Sequence, residues 1–169
     1  MSSAMNLERL YDEHAQALFA FVLNLLRHEA DTRDVLQEVF IKVARNPRLL
    51  EDVREPRGFL LRLAHNLAID LVRRRAARDR NREQVEQEGA LFAATDNPDE
   101  KVFTARLAEA LGELPPDQRA VVHLKLWEKL TFEQIADTLD ISPNTAASRY
   151  RYGIDKLRER LRPIYDEIK

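Results

Sequence analysis

Apolar residues return every third or fourth position along most of this chain, the period of a helix with one buried face. From about Asn6 to His28 the stripe is Leu7, Leu10, Tyr11, Ala15, Leu18, Phe19, Val22, Leu25 and Leu26. A second stripe, Leu36, Val39, Phe40 and Val43, runs to about Arg45, with Asp31 as the expected N-cap and Asn46-Pro47 as the stop. NPRLLEDVRE then reads as a loop, and Pro56 suits the first position of a third helix carrying Leu60, Leu63, Leu67 and Leu71. The pattern fades from Arg80 to Lys101, a stretch rich in acidic residues with Gly89 and Asn97-Pro98. Helical periodicity resumes over Val102–Leu111, Pro116–Glu128, Phe132–Leu139 and Pro143–Leu161. The pattern predicts an all-α protein of two small helical domains, 1–80 and 102–169, joined by an acidic linker over 81–101. Domains of that size bury little core, so each is expected to be only marginally stable alone.

The span LTFEQIADTLDISPNTAASRYRYGIDKL has the most specific local chemistry. Thr131 and Gln134 form a capping-box pattern opening one helix, whose inward residues are Phe132, Ile135, Ala136 and Leu139. A short turn through Asp140 and the apolar Ile141 leads to Ser142 as a cap and Pro143 at the first position of the next helix. Two helices so joined are a helix-turn-helix. At about 100° per residue, Ala146, Tyr150, Gly153, Ile154, Leu157 and Leu161 share the inward side of the second helix. Asn144, Ser148, Arg151 and Asp155 lie opposite, flanked by Thr145, Ala147 and Tyr152, with Arg149 at the edge. A slim leading face of hydrogen-bonding and basic side chains is what entry into a DNA major groove requires. A solvated helix in an ordinary bundle would not need the paired caps and plugged turn that accompany this face.

Charge changes the picture less than the net value of −2 suggests. Between Arg57 and Arg82 eight arginines face only Asp70 and Asp79, whereas Glu83 to Asp117 is dominated by carboxylates. Screening confines each patch to about 10 Å, so segregation matters more than the total. With no cysteine, thiolate and disulfide chemistry are excluded. The N-terminus lacks a signal-peptide layout and no apolar run approaches the roughly 20 residues of a membrane span, so a soluble, cytoplasmic protein without membrane insertion is expected. His14, His28, His65 and His123 are isolated, and neither GxxxxGK[ST] nor GxSxG occurs. Neither a metal nor a cofactor is therefore expected, and catalysis is rejected.

LPPDQRAVVHLKLWEKLTFEQIADTLDISPNTAASRYRYGIDKLRERL resembles the C-terminal domain of bacterial sigma factors of the compact extracytoplasmic-function (ECF) group within the sigma-70 family. DTRDVLQEVFIKVARN and PRGFLLRLAHNLAIDLVRRR resemble that family's polymerase-binding and −10-reading helices, in the right order. The resemblance covers nearly the whole chain. It implies a promoter-specificity subunit that directs core RNA polymerase to promoters and helps melt them. Its partners would be the β′ clamp helices, the β flap, promoter DNA and an anti-sigma factor. By the resemblance, Asp34, Gln37 and Glu38 contact the clamp helices; with Ile41 they cluster opposite the second helix's apolar stripe. Arg62, Asn66, Asp70, Arg73 and Arg74 would lie at the −10 element, with the loop around Asn46–Glu55 holding an extruded base. Ser142, Asn144, Thr145, Ser148, Arg149 and Arg151 would read the −35 element. The acidic linker would thread the RNA exit channel; a solvated, self-repelling tether is the plainer alternative.

A solvated polar face around Asp34, and an ion pair from Asp70 to Arg73 or Arg74, are the corresponding structural alternatives. The sequence departs from the family pattern at four positions: Phe59 for Trp, Ala147 for Lys, Tyr150 for an aliphatic residue, and Lys129 for Gly. If Lys129 is left-handed it costs roughly 1–2 kcal/mol. A stand-alone helix-turn-helix regulator is the competing function, but it needs no polymerase-docking face.

Overall fold

A computed structural model of the chain describes residues 3–78 and 97–168. Seven α-helices and one short 3₁₀ turn make up the described residues, and the chain divides into two compact units between Gln87 and Glu88. The linker expected over 81–101 lies outside the described residues up to position 96. From Pro98 onward the chain is already helical. Asn97 supplies the reason, because its side chain accepts from the Asp99 N–H at 3.0 Å and Pro98 takes the first helical position.

In the first unit α1 (Ser3–Leu26), α2 (Glu29–Arg45) and α3 (Pro56–Arg78) pack on one another, with the 3₁₀ turn Pro47–Leu50 inside the expected loop. Leu18, Phe21, Val22 and Leu23 of α1, Val35, Val39 and Val43 of α2, and Leu60, Leu61, Ala64 and Ala68 of α3 form the core. In α3 Leu60 is buried as predicted, but the other deepest positions are Leu61, Ala64 and Ala68, while the predicted Leu63, Leu67 and Leu71 are half-buried. Small residues at 64 and 68 let α3 approach its neighbours closely, and the leucines flank that line of approach.

The start of α2 differs from expectation. Arg27 takes a left-handed conformation, φ 59°, closing α1 through a 2.7 Å bond from its N–H to the Leu23 carbonyl. His28 then acts as the N-cap, its Nδ1 accepting from the Asp31 N–H at 3.2 Å. Asp31 is buried inside the first turn instead of capping it.

In the second unit α4 (Pro98–Glu113), α5 (Pro116–Leu126), α6 (Phe132–Leu139) and α7 (Pro143–Ile168) surround Ala110, Leu111, Leu114, Val122 and Leu157. Two close fits set their positions. A Cβ added at Gly153 would sit 2.7 Å from Val122 Cγ2, so α7 lies against α5 only because residue 153 has no side chain. Arg119 of α5 is buried and donates to the Leu111, Gly112 and Leu114 carbonyls at 2.8, 3.3 and 2.8 Å. The Leu111 carbonyl also accepts from the Leu114 N–H at 3.1 Å, and a cation at these last carbonyls of α4 meets the negative end of the helix dipole.

Candidate polymerase and DNA interfaces

The capping box of α6 is present as predicted: Gln134 N–H donates to Thr131 Oγ1 at 3.1 Å, and Thr131 N–H to Gln134 Oε1 at 2.9 Å. Asp140 ends α6 in the left-handed region, φ 57°, which a short polar side chain tolerates. Ser142 Oγ accepts from the Thr145 N–H at 3.0 Å and donates to Thr145 Oγ1 at 2.8 Å. These local bonds set the turn between α6 and α7, and Phe132 meets Tyr150 edge-on with ring centroids 5.6 Å apart. Tyr150 thus belongs to the helix–helix contact, as its inward wheel position predicts. Lys129 is left-handed, φ 57°, and its turn brings the Leu130 N–H back to the Leu124 carbonyl at 3.1 Å.

On α7, Asn144 and Arg151 are exposed, while Thr145, Ser148, expected on the outward side, and Arg149 are half-buried on a helix that packs against both α5 and α6. Ser142 is exposed but its hydroxyl is engaged in the cap. Arg149 lies 4.0 Å from Asp117 of α5, and the Arg151 guanidinium is 5.9 Å from the centre of the exposed Tyr152 ring. The helix therefore offers a narrow edge, small and polar at its start and cationic one turn later.

On α3, Arg62, Asn66, Asp70, Arg73 and Arg74 are all exposed. Among the described residues no ion pair joins Asp70 to Arg73 or Arg74, so its carboxylate accompanies the arginines on one face without being neutralised by them. Asn66 can donate and accept at once, the capacity needed to tell one base edge from another.

On α2, Asp34, Gln37, Glu38 and Ile41 are exposed together, as predicted. Beside them runs an apolar groove between α1 and α2, lined by Leu7, Tyr11, Phe19, Leu36, Phe40 and Ile41. Tyr11 is 54% exposed on its rim, in tilted contact with Phe40 at 5.1 Å, and is not the core residue its spacing predicts. The exposed Ile41 within an otherwise polar face was the sequence signal for this groove. An apolar trough with a carboxylate and amide border fits a partner helix better than it fits solvent.

Among the described residues no group of His, Asp and Glu side chains could hold a metal ion, and no helix is long and apolar enough to cross a membrane.

A helical unit with a polar-edged groove and an arginine-rich helix, followed by a helix-turn-helix unit, defines a two-part DNA-binding protein. The family model of sigma-70 region 2 matches residues 10–78, and that of sigma-70 region 4 matches residues 110–159. The chain is 32% identical over 166 residues to the ECF RNA polymerase sigma factor SigL of Mycobacterium tuberculosis, covering 96% of this chain and 93% of that protein. It is 31% identical over 161 residues to the RNA polymerase sigma factor CarQ of Myxococcus xanthus, covering 95% and 92% of the two chains. The fold is that of the sigma factor RpoE of Bartonella quintana, solved in complex with the anti-sigma factor NepR, with a TM-score of 0.73, 20% identity and coverage of 93% and 97%. The chain belongs to the ECF group of sigma-70 RNA polymerase sigma factors. It is a transcription-initiation protein that directs the polymerase to promoters.

Proposed function

We propose that the three exposed faces divide the work of promoter recognition. Asp34, Gln37 and Glu38, with the groove beside them, dock the β′ clamp helices; the carboxylates and amide meet basic partners while Tyr11 and Ile41 take apolar ones. Arg62, Asn66, Asp70, Arg73 and Arg74 meet the −10 element, Asn66 and Asp70 at base edges and the arginines at phosphates. Asn144, Thr145, Ser148 and Arg151 enter the major groove at the −35 element. Ser142 shapes that helix start, and Arg149 reaches a phosphate once it leaves Asp117. The second unit also engages the β flap. The protein works in the cytoplasm, performs no catalysis of its own, and is held in reserve by an anti-sigma factor. The domain bounds proposed are 1–80 for the polymerase and −10 functions and 102–169 for the −35 function.

The observation that carries this reading is the joint exposure of Arg62, Asn66, Asp70, Arg73 and Arg74 on one helix, in the same unit as the Asp34–Glu38 face. An Asp34→Arg/Glu38→Arg variant is expected to lose capture by core polymerase while keeping its circular-dichroism spectrum. Arg151→Ala is expected to keep polymerase binding but to weaken run-off transcription severalfold on promoters with an intact −35 element, and not on those with that element mutated. Protection of a palindrome by the isolated chain, without polymerase, would instead favour a stand-alone regulator.

A further inference from the structure

The three consecutive arginines at the end of α3 do not share one environment. All three are exposed, but among the described residues no ion pair is seen at Arg73 or Arg74. Arg75 points about 200° around the helix from Arg73 and reaches α2. Its Nη2 donates to Asp31 Oδ1 at 2.6 Å, and its Nη1 pairs with Asp31 Oδ2. The guanidinium thus makes one charge-assisted hydrogen bond and one ion-pair contact to the same carboxylate, a stronger hold than a neutral hydrogen bond gives. Asp31 is only 7% exposed, and its Oδ2 lies 3.2 Å from His28 Nδ1. The same His28 nitrogen accepts the Asp31 N–H, so the carboxylate sits within the cap of α2.

We propose that Asp31 is a positioning residue for promoter recognition, which clasps Arg75 to α2, withholds it from DNA and thereby sets where Arg73 and Arg74 stand. This rests on the reading of the α3 tail as a DNA face. A buried carboxylate stripped of its cation costs far more than one phosphate contact returns in physiological salt, so Arg75 stays on Asp31 when DNA arrives. The clasp also joins the two interfaces of the unit, since Asp31 lies one turn before Asp34 on the polymerase-facing helix. An arginine that looks like a third phosphate contact in sequence is thus the fastener that holds the other two at a fixed distance from the docking face.

The test uses the full chain bound to core polymerase on a promoter fragment selected by run-off transcription. Binding is measured against KCl concentration. Each phosphate contact contributes about 0.9 to the slope of log K on log salt for duplex DNA and about 0.7 for a single strand. Arg74→Gln is expected to lower the slope by about that amount. Arg75→Gln should leave it unchanged while weakening binding evenly at every salt concentration. Asp31→Asn, folded by circular dichroism, should raise the slope by the same amount, because Arg75 is released to a phosphate. The double variant should return it to the parent value. If Asp31→Asn does not fold, the contrast between Arg74→Gln and Arg75→Gln still decides. Equal slope losses in those two variants would overturn the proposal, as would an unaltered slope in a folded Asp31→Asn protein. A slope insensitive to both Arg73→Gln and Arg74→Gln would instead remove the DNA face itself, and the positioning role with it.

Discussion

His123 shows how one side chain ties the reading unit to pH. It is buried in α5 and stacked on Trp127, with ring centroids 5.3 Å apart. Burial penalises the imidazolium and lowers the His123 pKa from 6.5 to about 4. Between those values the unfolded chain binds a proton that the folded unit refuses. Stability therefore rises with pH across that window and is lost as pH falls from 6.5 toward 4. The full loss is roughly 3 kcal/mol, which is a large share of what a unit this small possesses. Trp127 is the chain's one tryptophan, so its fluorescence reports the second unit separately from the first. Urea midpoints read from that signal should drop between pH 7 and pH 4.5, and a His123→Gln variant should flatten the dependence. An equally steep profile in the variant would assign the effect to other groups.

The placement of α7 against α5 depends on Gly153. An alanine Cβ there meets Val122 Cγ2 at 2.7 Å, so either the helices separate or Val122 shifts. Gly153→Ala should destabilise the second unit by about 1–3 kcal/mol, the usual cost of overpacking, and lower its melting temperature. Capture by core polymerase, which we assign to the α2 face, should be less affected than −35-dependent transcription, because only the helix-turn-helix is disturbed. The inward position of Gly153 was readable from the helical wheel, as was the whole turn from Thr131 to Pro143. Both follow from bonds and contacts between near neighbours in sequence. Asp31 and Arg119 were not readable. Asp31 has the identity of a cap, but its partner Arg75 lies 44 residues away, and the capping group is a histidine that follows a left-handed arginine. Arg119 looks like surface charge until the end of α4 passes over it, which no local pattern announces. The polar faces of α2 and α3 were legible because periodicity fixes what a helix must leave outside. The groove beside α2 was less so, since Tyr11 fits an apolar stripe while lying on its rim.

Charge acts on the chain as a whole. The basic run ends at Arg82, and Glu83, Glu86 and Glu88 follow at once, so the net charge of −2 conceals opposed fields placed end to end. Because Glu83 follows Arg82 directly in sequence, a DNA duplex drawn to the arginines is expected to feel this acidic run, whose repulsion at low ionic strength reaches beyond 10 Å. The free chain should therefore bind non-promoter duplex weakly, with a shallow dependence on salt. Replacing Glu83, Glu86 and Glu88 by glutamine should raise that affinity by roughly three- to tenfold near 0.05 M salt. The gain should vanish toward 1 M, where screening falls to about 3 Å. Because nonspecific binding is almost wholly electrostatic, this variant would occupy the wrong DNA more often without any change in its reading helices. Fluorescence anisotropy on a random duplex measures the effect directly. An affinity unchanged at low salt would mean that the acidic run acts only as a tether, with no field felt at the helices proposed to face DNA.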